Sequence, residues 1–279
     1  MVMTAHARQD MNALKLTTAG VLNAIRAKDI YAVYQPQFEA ATGRLSGLEV
    51  LARWNVGAKR HIPPSQFIPY IESSTFECEL IFSLVEEVGV LLRRHPAYSG
   101  TVSINASLHA LAGHDFFPSL ERVLHANNVP MRRVLVEITE NTTVNDAEAL
   151  RIQAHICRLR EAGLTFSLDD FGTGFAGMQA LDLFECRQVK IAKPFLHRAR
   201  TSQRSRRILA SMVDVIHAAG ASVVMEGLES DEDLDLSRAV GADQLQGYLL
   251  GAPQSADALA GTYFGDARCQ HVAGGLPLM

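Results

Sequence analysis

Two adjacent carboxylates open the stretch Asp169-Asp170-Phe171-Gly172-Thr173-Gly174. Just before them, Thr165 to Leu168 alternate polar and apolar residues and read as a short strand. The glycines at 172 and 174 let the backbone turn sharply past the acids. Paired charges at the end of a buried strand are costly without a counter-charge, and a metal cation answers that need. The plainer reading of an Asp-Asp-x-Gly stretch is a solvated turn with an Asx cap. Gly172, Gly174 and Gly177 also spell G-x-G-x-x-G. In a dinucleotide fold the helix start past those glycines receives a pyrophosphate. Asp169 and Asp170 would repel one, so the fingerprint lacks the context it requires.

Other polar residues recur at the ends of apolar runs: Glu49, Arg53, Asn105, Glu137, Glu140, Lys190, Glu226 and Gln246. Glu49, Asn105, Glu137, Asp169, Asp170 and Glu226 offer only oxygen ligands, which favours Mg²⁺ or Mn²⁺ over zinc. Four or five carboxylates are too many for one dication. They suit two ions about 3.5–4 Å apart that hold a water between them and grip an anionic phosphate. Lys190 could orient or deprotonate that water, provided the metals lower its pKa. The alternative for Lys190 is a structural salt bridge to one of the acids. Arg53 supplies a planar donor fork suited to phosphate, or else a surface ion pair. Two enzyme readings stand open on these residues. One is two-metal phosphodiester hydrolysis. The other is an enolase-like barrel, in which a strand lysine takes a carbon-bound proton beside Mg²⁺. The double aspartate favours the first.

The elements that must position these groups follow from periodicity. Leu16 to Lys28 read as a helix, followed by strands at Tyr31–Phe38 and Leu45–Trp54 with a turn at Thr42-Gly43 between them. Pro63-Pro64-Ser65 begins helical material, and a long amphipathic helix spans Phe76 to Arg94. Further strands fall at Thr101–Ala106, Arg133–Thr139, Thr165–Leu168, Gln188–Ala192, Ser222–Glu226 and Ala242–Leu249. Helices fall between them at Phe116–Asn127, Asp146–Ala162, Phe175–Phe184, Ser202–Ala219 and Asp231–Val240. Strands alternating with helices predict a parallel sheet. Eight such units in about 250 residues predict a closed (β/α)8 barrel of the α/β class, with its chemistry at the C-terminal strand ends. Residues 1–14 read as a flexible N-terminal tail, 15–262 as one barrel domain, and 263–279 as a flexible C-terminal tail.

The bulk properties narrow the function class. The chain has 279 residues, is 48% hydrophobic, and carries a net charge of −4. No global basic field advertises a nucleic-acid polymer as partner. Cys78, Cys157, Cys186 and Cys269 are far apart and form no CxxC, which predicts reduced thiols in a cytoplasmic protein. No run of about 20 apolar residues predicts a membrane span. His109 and His114 lack the spacing of a metal pair on one helical face.

The chain resembles the EAL family of bacterial cyclic-di-GMP phosphodiesterases. The matching pieces, in family order, are Tyr34-Gln35-Pro36, Glu49-Val50-Leu51-Ala52-Arg53-Trp54, Asn105-Ala106-Ser107, Glu137-Ile138-Thr139-Glu140, Asp169 to Gly174, Val189-Lys190-Ile191, Glu226-Gly227-Leu228-Glu229 and Gln246-Gly247-Tyr248. The resemblance implies a modified (β/α)8 TIM-type barrel whose first strand is antiparallel. It implies hydrolysis of cyclic di-GMP to linear pGpG with two Mg²⁺ or Mn²⁺ ions. Glu49, Asn105, Glu137 and Asp169 match the family's main metal ligands, and Asp170 and Glu226 its second-site positions. Lys190 matches the lysine near the attacking water, and Glu140 the glutamate that steadies the loop after strand five. Gln35, Arg53 and Gln246 match substrate contacts. The resemblance also implies a homodimer through helices near strands five and six, and it admits a regulatory protein partner.

Three departures stand out. Val50 replaces the alanine of Glu-Ala-Leu, on the strand face opposite Glu49. Ala192 replaces the aspartate of Lys-Ile-Asp and, at period two, shares a strand face with Lys190. Phe175-Ala176-Gly177 replaces Tyr-Ser-Ser. Some family members with eroded motifs only bind the nucleotide or only bind a protein, so a non-catalytic cyclic-di-GMP receptor or protein-binding regulator of signalling or transcription is the alternative function.

Overall fold

A computed structural model describes residues 16–57, 61–72, 74, 76–139, 146–173 and 177–264. Among the described residues nine strands form one sheet: β1 (Ile30–Glu39), β2 (Leu45–Asn55), β3 (His61–Ile62), β4 (Thr101–Asn105), β5 (Val134–Thr139), β6 (Thr165–Phe171), β7 (Gln188–Ile191), β8 (Ser222–Met225) and β9 (Gln244–Leu245). Hydrogen bonding runs in the order β1-β9-β8-β7-β6-β5-β4-β2, and β1 also pairs with β2. Eight strands therefore close into a barrel, while β3 only extends β2 as an antiparallel arm. The pairs from β2 through β4 and onward to β9 are parallel. β1 runs antiparallel to both β2 and β9.

The first strand is antiparallel, as the family resemblance implied, where strand and helix alternation alone points to a parallel sheet. Only residues 40–44 join β1 to β2, and a parallel crossover needs a dozen or more. The last strand is also shorter than expected. Past Leu245 the chain turns, with the amides of Leu250 and Gly251 donating to the Gly247 carbonyl. Gly247 is required there because a Cβ would stand 2.2 Å from the Leu228 amide nitrogen.

The helix Glu77–Arg94 buries Leu80, Ile81, Leu84, Val85, Val88 and Leu91 at helical spacing. Glu77 and Glu79 open it and Arg93 and Arg94 close it, in the order the helix dipole favours. The buried Glu77 accepts from Ser107 N at 2.8 Å and Ser107 Oγ at 2.6 Å. That contact ties the helix to the chain just past Asn105, at the end of β4. The helix expected at 202–219 is Gln203–Ala218, and a further helix, Lys193–Thr201, precedes it. Ser202 separates them and caps Gln203–Ala218 by accepting from Ser205 N. Lys193–Thr201 is short and mostly polar, opens on Lys193-Pro194 and buries only Leu196 and Ala199, so it gives little apolar signal in the sequence. Helices Leu108–Ala112 and Ala256–Tyr263 and the arm β3 were also not anticipated. Helix Asp146–Glu161 begins at Asp146 itself.

Leu48, Val50, Val102, Ile104, Val136, Ile138, Phe166, Leu168, Val189 and Ile191 are buried in the hydrophobic core. The alternating positions carry buried polar groups instead: Gln37, Glu49, Ser103, Glu137, Ser167, Gln188 and Lys190. Branched aliphatic layers fill most barrels of this kind. A polar interior is tolerable only where its groups find partners.

Candidate active site

The partners converge on Lys190. Its Nζ lies 3.3 Å from Glu49 Oε2, 3.1 Å from Glu137 Oε2, 3.2 Å from Asp169 Oδ1 and 2.9 Å from Glu226 Oε1. The four acids come from β2, β5, β6 and the residue after β8, so barrel closure assembles them. Lys190 is 1% exposed and Glu137 fully buried. Asn105 Nδ2 stands 3.4 Å from Glu49 Oε1, and Gln246 Nε2 donates to Glu49 Oε2 at 2.5 Å.

The double aspartate is placed by a break in strand geometry. Successive strand residues normally point to opposite faces. The β6–β7 register shifts between Leu168 and Phe171, and Asp170 adopts a left-handed backbone with φ 55°. Short polar side chains tolerate that conformation better than most. Asp170 N donates to Asp169 Oδ1 at 2.8 Å, and Thr173 closes the turn with its amide and hydroxyl on Asp170 O. As a result, Asp169, Asp170 and Glu226 each bring a carboxylate oxygen within 4.8 Å of the others. Glu49, Glu137 and Asp169 do the same. Asp169 belongs to both groups.

Electrostatics follow from crowding in a dry pocket. Burial, reinforced by Glu49 and Asp169, holds the Glu137 carboxyl well above the usual range despite Lys190. Burial raises Glu226 to about 8, with Asp169 and Glu49 adding to it against Lys190. Burial would also raise Glu49, but the Lys190 ammonium and the Gln246 and Asn105 amides bring it below the usual value. For Lys190, burial disfavours the charge, yet Glu137, Glu226, Glu49 and Asp169 outweigh it and raise the pKa well above that of a free lysine. In this arrangement Lys190 is an ammonium and a donor. The neutral base considered from the sequence requires metal ions beside Lys190 to lower its pKa.

The remaining expected residues divide. Gln35 and Gln246 line a cleft of about 350 Å³ beside Glu49, Leu51, Lys193, Glu226, Glu229 and Tyr248. Gln35 Nε2 donates to Gly251 O at 3.3 Å. Arg53 is half-buried, its Nη1 donates to Ala52 O at 2.8 Å, and among the described residues it makes no ion pair with these acids. Glu140 and Phe175-Ala176 lie outside the described residues. Ala192 falls one residue past β7 and is the N-cap of helix Lys193–Thr201, 2% exposed and making no capping hydrogen bond. The sequence reading missed Gln37, which donates to Gln246 Oε1 at 2.9 Å. Its period-two spacing from Gln35 was the available signal. It also missed Lys193, which pairs with Glu229 across the cleft rim.

The chemistry of this donor set fits hard divalent cations. All the donors are oxygens, and Glu137 Oε1 is buried with no hydrogen-bond partner. An oxygen left bare in a pocket of acids suits a cation.

A barrel with one reversed strand and a carboxylate cluster at its mouth defines a class of acid-centred barrel proteins. Residues 19–253 match the EAL domain family, and the chain belongs to it. It is 32% identical over 249 residues to the oxygen sensor protein DosP of Escherichia coli, covering 87% of this chain and 30% of DosP. It is 31% identical over 240 residues to the cyclic di-GMP phosphodiesterase RocR of Pseudomonas aeruginosa, covering 85% of this chain and 60% of RocR. The chain thus spans between 30% and 60% of these relatives' length. Klebsiella pneumoniae BlrP1, solved as a manganese and cyclic-di-GMP complex, superposes with a TM-score of 0.70 at 26% identity, covering 81% of this chain and 56% of that one. The fold is the modified TIM barrel of EAL structures. Among the described residues no helix is long and apolar enough to cross a membrane.

Proposed function

We propose that this protein is a cyclic-di-GMP phosphodiesterase that opens one phosphodiester to give linear pGpG with two Mg²⁺ or Mn²⁺ ions. The observation that carries this reading is Asp169, whose carboxylate belongs to both acid groups and so suits a bridge between two cations. Glu49, Glu137 and Asn105 would hold one ion with Asp169. Asp170 and Glu226 would hold the other. Bound there, the ions would supply Lewis-acid polarisation of the phosphodiester and activation of water. The chain itself contributes a rigid acid frame, held by the Lys190 ammonium and the Gln246 amide. Lys190 is an N–H donor suited to orienting a water or stabilising charge at a phosphate oxygen. Gln35, Tyr248 and Arg53 would meet the rest of the nucleotide at the rim, with Arg53 released from its carbonyl contact.

The test is incubation of purified protein with cyclic di-GMP and Mn²⁺, followed by chromatography. Appearance of pGpG supports the proposal. Binding of the nucleotide with no product over hours would leave the receptor reading in its place. Ala192 favours that second reading, because a carboxylate-bearing position is occupied by a methyl group. A homodimer also fits the surface. Met178, Ile208 and Val215 expose apolar side chains around a groove that Phe171 and Met212 also line. Sedimentation across a concentration series checks it, with a single monomer boundary as the contrary result.

A further inference from the structure

Gln37 on β1, Gln246 after β9 and Glu49 on β2 form a buried file, 2%, 3% and 6% exposed. Gln37 Nε2 donates to Gln246 Oε1 at 2.9 Å, and Gln246 Nε2 donates to Glu49 Oε2 at 2.5 Å. The polarity of this file is imposed from one end. A carboxylate beside an ammonium only accepts. Gln246 must therefore turn its amino group to Glu49, which sends its carbonyl oxygen the other way into a buried position. An oxygen there needs a donor, and Gln37 is that donor. Without it the Gln246 amide could rotate half a turn and set its oxygen against the Glu49 carboxylate.

The opposite side of Gln37 is shaped for it. Gly47 is its register partner on β2, and a Cβ at Gly47 would stand 2.6 Å from Gln37 Oε1. The backbone at Gly47 has no left-handed φ, so glycine serves space there and not conformation.

We infer that Gln37 is a positioning residue of the metal site. It acts through Gln246 to hold Glu49 with Oε2 engaged and Oε1, whose contact to Asn105 is the longer, open to a cation. This rests on the metal-site reading above.

The test is calorimetric titration of Mn²⁺ alone into the full chain and four variants: Gln37→Met, Gln246→Met, the double substitution, and Gly47→Ala. Methionine keeps the volume of glutamine and removes its donor. Gln37→Met should weaken Mn²⁺ binding about tenfold, as loss of an outer partner of a metal ligand typically does. Adding it to Gln246→Met should change affinity by less than about twofold, since a residue acting only through Gln246 has nothing left to act on. Gly47→Ala, which keeps Gln37 but displaces its amide, should weaken binding in the same direction with the melting profile intact. Wild-type affinity in Gln37→Met would overturn the inference. So would an equal loss from Gln37→Met with and without Gln246, the mark of a general packing role. If Gln37→Met does not fold, Gly47→Ala decides, and unchanged affinity there is the contrary result. A wild-type chain that takes up no Mn²⁺ overturns the metal reading itself, and the positioning role with it.

Discussion

Lys190 faces four carboxylates with one positive charge. Removing it would leave the acids to repel one another in a pocket with little water. Lys190→Met should therefore lower the stability of the metal-free protein by about 3–5 kcal/mol, as breaking a buried pair does. Mn²⁺ should recover more of the melting temperature in the variant than it adds to wild type. Equal shifts in both proteins would place the ion elsewhere. Ala192 carries a second expectation at this scale. As an N-cap without a capping side chain, it forgoes roughly 0.5–2 kcal/mol. Ala192→Ser should raise the melting temperature with little effect on turnover. Ala192→Asp adds a charge near the cluster and should raise turnover at low Mg²⁺. Initial rates across a Mg²⁺ series check it, and two variants with the same rate profile would reduce the site's deficit to helix capping. The donor types were legible at this scale, because acids, amides and a lysine at strand ends name their own chemistry. The charge state of Lys190 was not, since it depends on how many acids surround it in space.

At the scale of elements, two devices hold the site. The first is the turn after β6, where Gly172 has φ 90° and a Cβ would meet the Phe195 ring at 2.8 Å and Met212 Cε at 2.9 Å. Gly172→Ala should disturb the Asp169-Asp170 turn and lower Mn²⁺ affinity more than it lowers thermal stability. The reverse order would make the turn a packing feature only. The second is Asp233, which caps helix Asp231–Ala239 through Ser230 and the Glu229 amide and pairs with Arg200 at 2.6 Å. It locks the loop carrying Glu226 to the helix after β7. Burial would raise the Asp233 carboxyl, but Arg200, the Glu229 amide and Ser230 outweigh it and lower the pKa. A depressed carboxylate stabilises the fold above its unfolded pKa of about 3.9, and that stability is lost as pH falls through the folded value. Melting curves should therefore separate wild type from Asp233→Asn near pH 6 and converge toward pH 3. A constant gap would contradict the assignment. The sequence showed the amphipathic helices and the Asp-Asp turn. It concealed helix Lys193–Thr201, a short and mostly polar element that buries only Leu196 and Ala199, and the register shift in β6, which pairing with β7 creates.

At the scale of the molecule, closure of eight strands brings residues far apart in sequence, such as Glu49 and Gln246, into hydrogen-bond contact. Eight alternating units made the barrel legible. Strand direction was not readable from alternation, although five residues between β1 and β2 already excluded a parallel crossover. The polar lining was legible only as isolated residues, because the sharing of Asp169 between two acid groups exists in the folded barrel alone. Cations that bind the native acids and not the unfolded chain should raise the melting temperature with concentration. The most direct measurement is the number of Mn²⁺ ions taken up per chain in the presence of cyclic di-GMP, for wild type and for Asp169→Asn. The expected result is about two ions for wild type and loss of both on removing the shared carboxylate. A single ion in wild type, or two ions that persist in Asp169→Asn, would contradict the shared two-cation site.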